Sequence, residues 1–144
     1  MTGTGEVEVE AVLLAGLRPI ALGLPEAYEE RAWVGTRWRV RGRTFAHLLE
    51  IVAGRPQSHA RAAGTTGPRW ILTFRSSGLE LETLRRTGPP FFADPWRGDE
   101  VGMFLDADVD WDEVAELLTD SYCLLAPKRL AGSIAPPPDG TAGR

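Results

Sequence analysis

The sequence is poor in the residues that carry most chemistry. Its one cysteine, Cys123, excludes an internal disulfide and a thiolate metal cluster, and its neighbours Leu124 and Leu125 mark it as an inert core thiol in a reducing compartment. The two histidines, His47 and His59, have no carboxylate or cysteine at ligand spacing. No nucleophile is paired with a base and no glycine-rich phosphate loop is present, so the chain is expected not to be an enzyme and to need no metal or other cofactor. Met1 to Gly5 carries no basic leader, and no apolar run approaches the roughly 20 residues of a membrane span. The expected compartment is therefore the cytoplasm. Lysine is nearly absent as well: 15 of the 16 basic residues are arginine, a bias that a GC-rich genome explains without any role in function.

What is present begins with a chain of 144 residues and 43% hydrophobic content, which suits one domain able to bury roughly 68% of its unfolded surface. Trp33 to Ile51 (WVGTRWRVRGRTFAHLLEI) organises the rest. Trp38 and Val40 alternate with Arg37 and Arg39, the period of a half-buried strand. Arg41-Gly42 then breaks the run as a tight turn, with Gly42 free to take a positive φ. In the simplest register Trp38 opposes Phe45, and Trp38, Phe45, Leu49 and Ile51 share one core face. The arginines project from the other face and the tip, forming a basic wing.

The net charge of -4 hides a segregation along the chain. From Arg31 to Arg75 nine arginines face one acid, Glu50; from Ser76 to Ala126 three arginines face twelve acids. Such asymmetry is the footprint of a protein with one face for an anionic partner. It is also what results when a basic sheet pairs with the protein's own acidic helix.

Around the hairpin, Glu6 to Ala15 reads as a short helix, and Pro19 suits the first turn of a second one from Arg18 to Leu22. Glu26 to Arg31 leads into the sheet, and Glu29 and Glu30, being adjacent, diverge too far to work as an acid and base pair. Ala53 to Pro68 reads as a long loop bearing Arg55, His59 and Arg61. Arg69 to Arg75 is a strand with Trp70, Leu72 and Phe74 on one face. Leu79 to Leu84 fits a helix or a continuing strand, with the helix preferred. Gly88 to Gly98 places Phe91, Phe92 and Trp96 among prolines, either as an exposed aromatic rim or as a cap on the core. Val101 to Leu105 is a further strand. Asp106, Asp108, Asp110 and Asp112 resemble a calcium loop only until Trp111 and Leu117 occupy the positions that need Gly and Glu. Asp110 serves better as the cap of a helix with Glu113 in a capping box and Trp111, Val114, Ala115, Leu118, Tyr122 and Leu125 on one face, ended by Pro127. The expected organisation is an N-terminal extension over 1–16, a domain over 17–131 and a disordered tail over 132–144.

Three segments, LPEAYEERAW (Leu24 to Trp33), WRVRGRTFAHL (Trp38 to Leu48) and VDWDEVAELLTDSYCLLAPKRLA (Val109 to Ala131), occur in an order that resembles the MmcQ/YjbR family. The resemblance covers about Leu17 to Ala131. It implies a single α+β domain in which helices pack on one face of an antiparallel sheet, in a frataxin-like arrangement. It also implies DNA binding by double-wing hairpins, and no catalytic residue. The Arg-bearing Ala53 to Pro68 loop departs from the family pattern, as does Glu100-Val101, where an aromatic often precedes the last strand.

The leading expectation is thus a non-catalytic DNA-binding protein whose Arg37, Arg39, Arg41, Arg43, Arg55, Arg61 and Arg69 contact phosphates. The alternative is a module for a small anionic ligand or a protein partner, using Phe91, Phe92 and Trp96. No membrane partner is expected.

Overall fold

The structure, a computed structural model, describes residues 2–93, 97–106 and 108–134, with side chains from Val9 onward. Six strands form one sheet: β1 (Tyr28–Arg31), β2 (Thr36–Val40), β3 (Arg43–Ile51), β4 (Arg69–Arg75), β5 (Phe91–Ala93) and β6 (Glu100–Leu105). Their order is β1-β2-β3-β4-β6-β5, and every neighbouring pair is antiparallel. Among the described residues five helices accompany them: α1 (Thr2–Leu22), α2 (Gln57–Ala63), α3 (Gly78–Thr87), α4 (Trp111–Leu125) and α5 (Lys128–Ala131). This is the expected α+β class.

The β2–β3 hairpin turns at Arg41-Gly42, with φ of 51° and 79°. Both angles are positive, as a two-residue turn matching the twist of its strands requires. Beyond Thr44 the expected register fails. Arg39 pairs with Thr44 but Trp38 pairs with Ala46, so Phe45 is the extra residue of a β-bulge. The bulge turns Phe45 and Ala46 both toward the helices and shifts Leu49 and Ile51 to the opposite face. Trp38, Phe45, Ala46 and Leu48 accordingly join the core under α1 and α4, while Leu49 and Ile51 belong to a second cluster with Ala60, Ile71 and Phe92. One extra residue reversed the facing of everything after it, because the side-chain period of a strand is two.

A bulge leaves ladder groups unpaired, and Ser121 on α4 takes up the slack. Its buried hydroxyl donates to the Phe45 carbonyl at 2.7 Å and accepts from the Arg75 N–H at 2.8 Å. Tyr122, the next residue, packs edge-on to Phe45 with ring centroids 5.5 Å apart and donates to the Pro25 carbonyl at 2.7 Å. The bulge is thereby built into the helix–sheet contact.

The two short N-terminal helices expected, over Glu6 to Ala15 and Arg18 to Leu22, are a single helix, α1. Leu13, Leu17 and Ala21 recur every fourth residue and are buried, and this stripe carries the helix through the one backbone hydrogen bond that Pro19 forgoes. Leu13 enters the core from within the segment expected to be an extension. α1 meets α4 closely at Gly16, where a Cβ would overlap the Trp111 ring.

Ala53 to Pro68 is not a simple loop. Ala53 and Gly54 form a second tight turn (φ 53° and 72°), closed by reciprocal 3.0 Å backbone hydrogen bonds between Val52 and Arg55. α2 follows and ends at Gly64 in the left-handed conformation. Ala60 of α2 is buried against the second cluster, so the insertion covers apolar surface on the sheet face away from α1 and α4.

α4 begins as the sequence predicts: the Asp110 carboxylate accepts from the N–H groups of Asp112 and Glu113 at 3.0 and 3.3 Å. Asp110→Ala should lower stability by about 1 kcal/mol in a denaturant titration, the usual worth of such a cap. Beyond Ser133 and Ile134, the tail over 135–144 lies outside the described residues. No helix among the described residues is long and apolar enough to cross a membrane.

Candidate functional site

Register brings a set of polar side chains together on the second sheet face. Cross-strand pairing aligns Glu30, Arg37, His47, Thr73 and Gly102 in one row. The row toward the hairpin tip contains Arg39 beside Thr44 and Arg75 beside Glu100. At the other end of the same face lie Leu49, Ile71, Phe92 and Phe104, the surface that α2 covers. The face is therefore split into an apolar half and a basic half.

The basic half is concave. A cleft of about 580 Å³ is lined by Arg37, Arg39, Arg43, Thr44, His47, Arg75, Arg97 and Glu100, with Gly42 and Leu125 at its rim. Carboxylates fix several of the guanidiniums in place. Glu30 accepts from Arg37 Nε at 2.6 Å and from Arg39 Nη1 at 3.2 Å, and Arg39 also donates to the Gly42 carbonyl. Arg75 Nε donates to Asp99 at 3.1 Å, while Arg97 Nε stands 4.0 Å from Glu100. Arg43 has only a long bond, 3.4 Å, to the Leu125 carbonyl. Among the described residues, five guanidiniums against Glu30, Asp99 and Glu100 leave a positive excess.

The hydrogen bond from Arg37, with burial opposing it, holds the Glu30 carboxyl below its ordinary range, so it stays ionised as counter-ion. Burial pushes His47 down in the opposite sense of charge: it disfavours the imidazolium. His47 Nε2 lies 2.6 Å from the Val34 carbonyl, which can only accept, so that nitrogen carries the proton of a neutral ring.

The seven arginines expected to form one phosphate-binding set do not share a surface. Arg37, Arg39 and Arg43 enter the cleft. Arg41, at the hairpin tip, is drawn back to Glu26 at 2.7 Å. Arg55 precedes α2 and Arg61 lies on it, in separate grooves, and Arg69 stacks 4.0 Å over the Phe104 ring. The carboxylates paired with Arg37, Arg39 and Arg41 are Glu30 and Glu26 of the preceding segment, not acids of α4. Arg75, Arg97, Thr44 and His47 join the cleft without having been selected from sequence. Arg75 could have been found from strand pairing, since it lies on β4 opposite Glu100 of β6; Arg97 lies outside the strands and had no such signal.

Of the two readings of the aromatic stretch, the cap on the core holds for Phe91 and Phe92 and the exposed rim does not. Phe91 and Phe92 are buried, Phe92 lying over Gly102 where no Cβ would fit, and Trp96 falls outside the described residues. Cys123, expected in the core, is exposed on the outer side of α4 because Tyr122 takes the inward position. In the acidic run, Asp106 accepts from the Asp108 N–H and Asp110 caps α4. Among the described residues, no three histidines, cysteines or carboxylates come together to hold a metal.

Glu29 and Glu30 point to opposite faces, as adjacent strand residues must. Glu29, on the helix side, accepts from Arg18 at 2.9 and 3.0 Å and from the Trp38 indole at 2.9 Å. The Arg18 bond is the main reason its carboxyl is held below the ordinary 4.5. A depressed folded pKa contributes stability that is complete above the unfolded value and lost as pH falls through the folded one. Thermal melts of wild type should therefore lose stability below about pH 4.5, and Glu29→Gln should flatten that part of the profile.

A family model described as YjbR matches residues 22–124, from the end of α1 almost to the end of α4. The chain belongs to the YjbR family. Among solved structures, a Deinococcus radiodurans protein carrying a DUF419 domain is similar at 21% identity, with 75% of this chain and 74% of that chain covered and a TM-score of 0.54. A Pseudomonas syringae protein is similar at 14% identity over 70% of this chain and 78% of that one, with a TM-score of 0.47. No curated protein matches the chain in sequence. The DUF419 likeness supports the YjbR fold, whose sheet here carries the basic cleft between hairpin tip and β6.

Proposed function

We propose that this YjbR-family chain is a non-catalytic DNA-binding protein that holds backbone phosphates in the basic cleft. The observation that carries the reading is the convergence of Arg37, Arg39, Arg43, Arg75 and Arg97 on one concave surface with fewer carboxylates than guanidiniums. Planar guanidiniums held by carboxylates are ordered before a phosphate arrives, which limits the entropy lost on binding. The wing contributes through its sides; its tip residue Arg41 is engaged with Glu26. Contacts of this kind position a duplex without reading its sequence, and their strength falls with salt.

The test is fluorescence anisotropy of a labelled mixed-sequence duplex titrated with protein at two salt concentrations. Saturable binding that weakens steeply at the higher salt supports the reading; no binding at low salt overturns it. A small anion in the same cleft is the second reading, favoured by a volume of about 580 Å³ that lies within the range of small-ligand sites. Pyrophosphate binding by calorimetry in the absence of any DNA binding would select it.

A further inference from the structure

A tryptophan stands wholly in solvent at the far end of the same face. Trp33 lies on the β1–β2 turn and is fully exposed, an unusual place for a ring of that size. The turn beneath it is firmly built. The Ala32 N–H donates to the Gly35 carbonyl at 3.0 Å, and Gly35, at φ 78°, lies so close to the Leu48 backbone that no Cβ would fit. Trp33 is thus a side chain presented by a rigid support rather than one trailing from a loop.

Beside it runs an open groove of about 780 Å³ lined by Trp33, Val34, Val52, Arg55, Pro56 and Gln57. The groove and the basic cleft adjoin: Val34 forms a wall of one, His47 a wall of the other, and the 2.6 Å bond between His47 and the Val34 carbonyl joins them. Arg37, four residues from Trp33 along the chain, faces the cleft side of that junction. A ligand crossing from one to the other would meet a run of cations, then an apolar ring with Arg55 next to it.

We propose that this continuous surface takes single-stranded nucleic acid, with phosphates in the arginine cleft and an unpaired base stacked on Trp33. The inference rests on the phosphate-binding reading of the cleft and adds the chemical class of the ligand. Paired bases in a duplex present only their edges, so they cannot offer a face to the indole. An unpaired base can, and any base has such a face, so the contact is independent of sequence. Arg55 supplies a cation at the groove for the phosphate or base beside the stacked one.

The experiment compares an oligothymidylate with a mixed-sequence duplex of equal length by anisotropy, using wild type, Trp33→Ala and Trp33→Phe. The indole makes no core contact, so both variants should keep the melting temperature of wild type. Trp33→Ala should weaken single-strand binding about tenfold while leaving duplex binding unchanged, in keeping with the worth of one stacked base. Trp33→Phe should keep most of the single-strand affinity. If Trp33→Ala alters neither ligand, or both equally, the stacking site is overturned while the phosphate reading stands on its duplex binding. If wild type binds neither ligand at low salt, both fall together.

Discussion

Replacing Arg43 and Arg97 together by glutamate is expected to abolish measurable duplex binding, a loss of roughly 100-fold or more at low salt, because each change swaps an attractive for a repulsive contact. These two are the cleft arginines least committed to the protein itself. Arg43 makes one 3.4 Å bond to a carbonyl, and Arg97 is largely exposed at 4.0 Å from its carboxylate. Arg37, Arg39 and Arg75 would be poorer targets, since reversing them sets a new carboxylate against Glu30 or Asp99 and confounds binding with folding. The Arg41→Glu change gives the contrast. Its guanidinium is already spent on Glu26, so it should reduce affinity far less than the pair. Anisotropy at several salt concentrations reads both, and the salt slope of any residual binding in the double variant should fall by about 2. Equal losses from Arg41→Glu and the pair would move the site to the hairpin tip.

The largest expected effect on stability comes from Trp38→Ala. Trp38 is completely buried at the centre of the helix-side core, and its indole N–H donates to Glu29 at 2.9 Å. The substitution leaves a cavity the size of a bicyclic ring, for which losses of about 3–5 kcal/mol are usual. It also removes one of the donors that hold Glu29 on the Arg18 side of the sheet. For a chain of this length the melting temperature should fall by on the order of 10–20 °C. Trp38→Phe separates the two contributions, keeping much of the packing but not the donor, and should cost about 1–2 kcal/mol by denaturant titration. A melting temperature within a few degrees of wild type for Trp38→Ala would mean that the core closes over the site without it.

Trp38 and Phe45 show where sequence and structure part. Trp38 was legible as core because a strand period and a two-residue turn are local properties, set by alternation and by the backbone freedom of Gly42. The α4 start was legible for the same reason, since the Asp110 carboxylate needs only the backbone N–H groups of Asp112 and Glu113 just after it. The Phe45 bulge was not legible. Thr44, Phe45 and Ala46 carry no mark of it, and what stabilises it is Ser121 on α4, 76 residues away, accepting one ladder group and donating to another. From that bulge follows the facing of Leu49 and Ile51, and hence the need for α2 to cover them.

The candidate site divides in the same way. The resemblance of three segments to the YjbR family pointed to the α+β fold. Sequence by itself also determined the basic character of the stretch from Arg31 to Arg75 and the projection of Arg37 and Arg39 away from the core face of their strand, both of which follow from residue type and short-range period. Only the tertiary structure decided which cations work together. Pairing of β4 with β3 brought Arg75 beside the hairpin, pairing of β6 with β4 brought the segment that carries Arg97, Glu26 withdrew Arg41, and the Phe104 ring took up Arg69. A charge count along a chain records how many arginines there are. Whether they converge depends on register and on which carboxylates the fold sets beside them, and both are fixed by contacts between residues distant in sequence.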